Sequence, residues 1–458
     1  MTLIAFILLA VLATVGYVLN RQAAAAITAD GTRLHSLKHF HGLFSLLSVL
    51  VPVLVLLCLY LALQTPIINM VTMASLPDGV LDGMGDGAQQ LVLAEIRSVS
   101  QGRVFGTPED WKIIAAERMV ALYQYADIAM VTMVIILSSV ILVLTRRRVT
   151  AEFRARQAAE TIIHGFMIAC STVAILTTIG IILALAFEAI RFFEMVPFTD
   201  FLFGVNWEPQ IPIREDQIAA EGAFGWLPVI VGTAVVATIA MLLATPIGLL
   251  TAIYLNEFAP RGLRAVVKPV LEILAGVPTV VYGFFAILVV APALRGAGAD
   301  LGIGISPNTA LAAGGVMGIM LIPFISSFAD DALSAVPRAL RDGSLAIGAT
   351  RGETMLKVQF PAAIPGIVGG VLLAVSRAIG ETMIVVMAAG LMANLTINPL
   401  DSVTTVTVQI VTLLIGDTAF DNPKTLAAFA LGLMLFILTL GINVLALRIV
   451  RKYREIYD

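Results

Sequence analysis

Nine stretches of roughly 20 mostly apolar residues run through the chain, near 2–20, 43–63, 124–145, 161–189, 227–256, 269–292, 307–328, 366–392 and 425–447. That length is what a helix needs to cross the hydrocarbon of a bilayer, and repetition on this scale leaves few other folds open. Composition agrees. The chain is 59% apolar and 13% charged, with a mean hydropathy of +0.97, whereas a soluble domain carries about 25% charged residues. Twenty-eight Lys+Arg and 31 Asp+Glu cannot cover the surface of a 458-residue water-soluble globule. The same numbers exclude a disordered chain and a nucleic-acid binder, which needs a basic surface. The expected fold is all-α, a polytopic integral membrane protein in the lipid bilayer.

The distribution of charge sets an expected orientation. The first apolar run opens with Met-Thr and has Arg21 only after it, so it reads as an uncleaved anchor with its N-terminus extracytoplasmic. Alternating the spans from there puts nineteen of the 28 cations on the cytoplasmic side, among them Arg146, Arg147, Arg148, Arg338, Arg341, Arg351 and Arg451. Eight fall on the other side, and Arg377 lies inside a span. The C-terminus is then cytoplasmic. Residues 1–160 form a three-span extension with an acidic extracytoplasmic loop at 64–123, and 161–458 form a six-span core. Within that outer loop, Thr107-Pro108-Glu109-Asp110 reads as a helix start with a capping threonine.

Several chemistries find no support. Without a Gly-Lys dipeptide there is no phosphate-binding P-loop, and His-Glu-x-x-His and Gly-x-Ser-x-Gly motifs are missing too. Cys58 and Cys170 sit in apolar runs and offer neither a disulfide framework nor a zinc site. His35 and His39, four apart, read as a juxtamembrane segment rather than metal ligands. Asp78, Asp82 and Asp86 lack the tighter spacing of a calcium loop and read as a solvated turn.

The informative segment is the cytoplasmic loop at 329–365. Pro337 precedes Arg338 to Ile347, a short helix that Gly348 would terminate. Thr350-Arg351-Gly352-Glu353 is a capping box opening a second helix, expected to stop before Pro361. Met355, Leu356 and Val358 give that second helix an apolar face for docking. Two short helices hinged at a glycine make a rigid lever.

The spacing Asp342-Gly343-Ser344, three residues, Gly348, nine residues, Val358, Gln359, Phe360-Pro361 resembles the EAA loop of ABC-importer permeases, which reads Glu-Ala-Ala, three, Gly, nine, Ile, one, Leu-Pro. The chain resembles the PstC-type phosphate permeases in particular. The matching stretches are Phe201 to Trp207 with Pro209, Phe224 to Pro228, Ile347-Gly348-Ala349-Thr350 with Pro361-Ala362-Ala363, and Ser376-Arg377-Ala378-Ile379-Gly380-Glu381-Thr382-Met383. The resemblance covers about 161–458; residues 1–160 lie outside it. One departure is Asp-Gly-Ser for Glu-Ala-Ala, which replaces two alanines with weaker helix formers.

What the resemblance implies is the translocation subunit of an ATP-driven importer of inorganic phosphate. Its partners would be a homologous PstA-type permease, two ATPase subunits and an extracytoplasmic phosphate-binding protein. ATP and Mg would bind the ATPase, with no cofactor on this chain and no bond made or broken by it. Closure of the ATPase dimer would pull on 338–360, through Asp342, Gly343, Ser344, Gly348, Ala349, Thr350, Glu353 and Pro361, and tilt the core spans. Two rivals stand beside it: a permease of the same class for another oxyanion such as phosphonate or sulfate, and an ion-coupled carrier or channel.

Arg377 and Glu381 are ionisable groups inside a span, each costing roughly 2.5–3.5 kcal/mol on insertion scales, so both need partners. Four apart on one helix, they are placed to pair directly. One reading is a self-neutralising pair that fixes helix packing. The other is a substrate gate: Arg377 neutralises the anion through a planar donor set, Glu381 holds Arg377 when the path is empty, and Ser376 and Thr382 add hydroxyl donors.

Overall fold

Apolar residues four apart build the first bundle. In α1 (Thr2–Ala29) they are Ala5, Leu9 and Ala13; in α2 (Lys38–Ala74) Val49, Val53 and Leu57; and Met130 and Val134 meet them from a third long helix. Small residues let the backbones close up: a side chain on Gly16 would collide with Ser45, and one on Gly42 with Tyr17. Outside this seam the helices remain apolar, with Leu3, Ile7, Val55 and Ile136 more than half exposed, a surface suited to lipid rather than water. Next along the chain come α3 (Asp86–Ser100), the third bundle helix α4 (Asp110–Arg147) and α5 (Ala155–Met195).

The computed structural model describes residues 1–29, 31–77, 80, 85–103, 109–209, 222–415 and 422–453. Among them, nine helices are long and apolar enough to cross a membrane. Contacts divide the chain into two compact units, Met1–Thr177 and Thr178–Asp458, the division falling within α5. At 37 and 38 residues, α2 and α4 outrun the spans expected at 43–63 and 124–145. Their polar ends continue as helix because α3 packs on them through Val92, Ile96, Ala115 and Met119. Thr107, Pro108, Asp78 and Asp82 lie outside the described residues. The helix expected to be capped by Thr107 begins at Asp110, with Glu109 at the N-cap position, and Asp86 opens α3.

After the end of α5, the second unit continues with α6 (Phe198–Phe203) and an antiparallel pair, β1 (Trp207–Glu208) and β2 (Ala223–Phe224), in which Trp207 faces Phe224. Phe192, Phe201, Trp207 and Phe224 pack edge-to-face around it, and Trp226 lies tilted against Phe201. Gly204 and Gly225 approach so closely that neither has room for a Cβ.

Next are α7 (Leu227–Ile253), extended by a π turn over Tyr254–Phe258, and the amphipathic α8 (Arg261–Ala275). Then come α9 (Thr279–Phe285), a second π turn over Ala286–Val290, α10 (Ala291–Asp300) and α11 (Ala310–Ser334). The expected span at 269–292 is corrected: Gly276-Val277-Pro278 ends α8, and the apolar helix runs over Thr279–Asp300.

The centre of this unit is α7 against α11. Gly314 and Gly318, one turn apart, lie against Val236, Ile239, Ala240 and Leu243, and Gly248 lies against Ile325. Close backbone approach through small residues is how helices associate where lipid supplies no hydrophobic drive.

The chain continues through α12 (Arg338–Ala346), α13 (Arg351–Thr354), a third π turn over Met355–Gln359 and α14 (Phe360–Ile379). It finishes with α15 (Met383–Ala388), α16 (Val406–Leu414) and α17 (Pro423–Tyr453). Two further expectations are corrected. Pro361 does not end the second lever helix: the π turn shifts the hydrogen-bond register just before it, so the missing N–H and the ring sit in the opening turn of α14. The span expected at 366–392 instead occupies Arg351–Ile379, and the helix breaks at Gly380.

Candidate functional site

The lever is built from backbone chemistry. Gly348, at φ +93°, ends α12 in a Schellman turn, donating to Leu345 O at 3.0 Å while Ala349 N–H reaches Ser344 O at 3.2 Å. Thr350 Oγ1 then accepts the Glu353 N–H at 3.3 Å, and the Glu353 carboxylate accepts the Thr350 N–H at 3.0 Å, a reciprocal capping box. Ser344 and Thr354 hydroxyls join the two short helices at 3.0 Å. Asp342 and Gly343 are exposed on α12. Met355 is buried with Ala252, Leu333 and Ile367, whereas Leu356 turns outward, two-thirds exposed, as does Ile347 at 87%. The turn therefore keeps an inner apolar anchor and offers apolar side chains outward.

From Arg351 a single helical segment of 29 residues runs through the π turn to Ile379, about 40 Å at the usual rise. Arg377 sits in its last turn, exposed, with its guanidinium 5.7 Å from the centroid of the Phe324 ring. The helix stops at Gly380, whose N–H donates to Ser376 O at 3.3 Å. Here the expected Arg377–Glu381 pair is corrected. With the helix broken between them, Glu381 turns inward to 9% exposure and its Oε1 accepts the N–H groups of Met383 and Ile384 at 3.1 and 3.4 Å. It caps α15. Thr382 Oγ1 donates to Gly380 O at 3.3 Å, and Ser376 is half-buried.

A layer of hydroxyls and amides that the sequence reading missed backs the break. Thr407 Oγ1 donates to Glu381 O at 2.9 Å, Thr405 bonds Thr407 at 3.0 Å, and Thr233 on α7 accepts the Val406 N–H at 3.0 Å. The buried Gln409 side chain donates to Leu391 O and Thr404 Oγ1 and accepts from the Trp207 indole at 2.9 Å. The only signal was Thr404-Thr405-Val406-Thr407-Val408-Gln409, a polar run between spans in an otherwise apolar chain.

A charged hub, also missed, lies at the lever end of the unit. Asp330 on α11 accepts from Asn256 at 2.8 Å, Arg264 at 3.0 and 3.1 Å and Lys268 at 2.9 Å. Its hydrogen bond holds the Lys268 ammonium above the ordinary lysine pKa. A cavity of about 220 Å³ opens beside it, lined by Arg264, Lys268, Glu272, Phe324 and Asp330.

Helices of spanning length, one interrupted at a capped acidic residue and backed by polar side chains, define a multi-pass membrane protein of the transporter class. Residues 244–455 match the family described as binding-protein-dependent transport system inner membrane component, and residues 6–177 match the one described as phosphate ATP-binding cassette transporter. The probable ABC transporter permease protein YqgH of Bacillus subtilis (strain 168) is 32% identical over 313 residues, spanning 68% of this chain and 96% of its own. The phosphate transport system permease protein PstC of Xylella fastidiosa (strain Temecula1) is 33% identical over 278 residues, or 55% of this chain and 80% of that one. Half of the chain also aligns with 97% of a chain of the MetNI methionine ABC transporter in an inward facing conformation, at 21% identity and a TM-score of 0.38, too loose to carry geometry across. The chain belongs to the PstC-type family of ABC-transporter permeases.

Proposed function

We propose that the chain is the translocation subunit of an ATP-driven phosphate importer that moves the anion by alternating access. The observation that carries this reading is the uninterrupted helix Arg351–Ile379, with the Gly348 lever at one end and Arg377 at the break on the other. A pull on the lever is thereby a displacement of the Arg377 cation at the chain interruption. Broken helices at the substrate site are the usual device of alternating access.

In this reading Arg377 receives phosphate, which its planar donor set can engage in bidentate fashion. Ser376 and Thr382 add hydroxyls. Glu381 holds the second half-helix in place rather than answering Arg377. The outward Ile347 and Leu356, with Asp342, Gly343 and Pro361, form the seat for an ATPase subunit carrying ATP and Mg. A PstA-type permease, a second ATPase and an extracytoplasmic phosphate-binding protein complete the complex. The basic ends of the helices face the cytoplasm with the C-terminus, and the N-terminus lies outside. Residues 161–458 are the transport core and 1–160 an extension to it. The names of relatives such as PstC favour phosphate over other oxyanions.

The test is radiolabelled phosphate uptake by cells stripped of their other phosphate transporters and expressing this chain with its complex. Uptake that needs ATP and resists excess sulfate or phosphonate supports the reading. Strong competition by either anion assigns the other substrate.

A further inference from the structure

Glu257 is a buried acid with no place in the lever described so far. It lies in the π turn that extends α7, with its side chain 3% exposed, and it accepts from Arg341 of α12 at 2.9 Å. Its neighbour Asn256 donates to Asp330 at 2.8 Å and to Ser334 at 2.9 Å. Two consecutive residues thus face two different bodies: Glu257 takes the coupling helix, and Asn256 takes the hub that gathers α8 and α11. A π turn supplies the extra residue that lets adjacent side chains diverge in this way, and such turns concentrate at functional positions.

The pair is incompletely made. One bond joins the two side chains, while among the described residues Glu257 Oε2 and Arg341 Nε have no hydrogen-bond partner. An arginine and a carboxylate have a second, two-bonded geometry available. With Glu257 buried and the Arg341 side chain 39% exposed, a half-satisfied pair is poor glue, because desolvation of the carboxylate offsets much of the attraction. It suits a contact that exchanges between two arrangements.

Resting on the permease reading above, we infer that Glu257 and Arg341 are positioning residues of a second coupling route. The first route runs from the lever along Arg351–Ile379. The second leaves α12 through Arg341 to Glu257, crosses one residue to Asn256, and enters α8 and α11 through Asp330, Arg264 and Lys268. Movement of α12 then displaces both walls of the α8–α11 cavity together with the broken helix, so the two sides of the path shift in one step.

The experiment uses the full complex in proteoliposomes, comparing wild type with Glu257→Gln, Arg341→Gln and the double variant. The readout is phosphate imported per ATP hydrolysed, beside assembly and ATPase rate. Each single variant is expected to assemble and hydrolyse ATP while the ratio falls roughly fivefold or more, the scale of a typical coupling energy. The double variant should be no worse than either single one, because one pair carries the effect. An unchanged ratio in the assembled single variants overturns the inference, as does failure of both to assemble, which makes the pair purely structural. If wild type itself imports no phosphate on ATP hydrolysis, it is the permease reading that falls.

Discussion

The guanidinium of Arg377 lies 5.7 Å from the centre of the Phe324 ring and not against Glu381, four residues on. Cation–π contact holds a guanidinium in place without neutralising it or occupying all of its in-plane donors. Arg377→Gln should therefore lower phosphate uptake roughly 10- to 100-fold, the equivalent of a charged hydrogen bond worth about 1.5–3 kcal/mol, with assembly intact. Arg377→Lys keeps the charge and loses the fork, and should fall between the two. Radiolabelled uptake at matched complex levels measures both.

Glu381 works through its oxygen atoms as a cap, so charge matters less than shape. Glu381→Gln retains a carbonyl acceptor for Met383 and Ile384 and should leave transport near wild type. Glu381→Ala removes the cap and should cost about 1 kcal/mol, the usual loss at a helix N-terminus. Thermal unfolding of the detergent-solubilised complex and uptake assays distinguish the two. Loss of transport in Glu381→Gln with a stable complex would restore a gating charge at this position.

At Gly348 the space is open but the backbone is not: among the described residues nothing lies within 4 Å of an added Cβ, yet φ is +93°. Any other residue meets the left-handed penalty of about 1–2 kcal/mol. Gly348→Val should weaken co-purification with the ATPase while leaving the membrane helices folded. Thr350→Ala should cost about 1 kcal/mol, and adding Glu353→Ala should destabilise little further, since both break one reciprocal box.

Gly318 tests the packing seam. A Cβ there would lie 2.9 Å from Leu243 and 3.0 Å from the Ala240 carbonyl. Gly318→Leu must push α7 and α11 apart, an overpacking cost of about 3 kcal/mol or more, seen as lost expression of monodisperse complex. Gly315→Leu, beside it with open space, should be tolerated.

The residues explain what the sequence disclosed and what it hid. Spans were legible because lipid-facing helices are apolar all round, and the Gly348 turn and the Thr350–Glu353 box because their chemistry is local. The break at Gly380 was not, since apolar residues resume beyond Glu381 and Thr382 as if one span continued, and glycine is tolerated within helices. Pro361 misled for the opposite reason: a π turn absorbed a residue that ordinarily ends a helix. The hub at Asp330 and the Glu257–Arg341 pair depend on contacts 62 to 84 positions apart, and nothing in the local sequence encodes those partnerships.

The most direct test of the permease reading is phosphate accumulation by proteoliposomes containing this chain with its partner permease, ATPases and binding protein, with ATP supplied on the ATPase side and no ion gradient. Accumulation that requires ATP hydrolysis and falls roughly 10- to 100-fold in Arg377→Gln is the expected result. Uptake that persists without ATP and collapses when an imposed ion gradient is dissipated would contradict it.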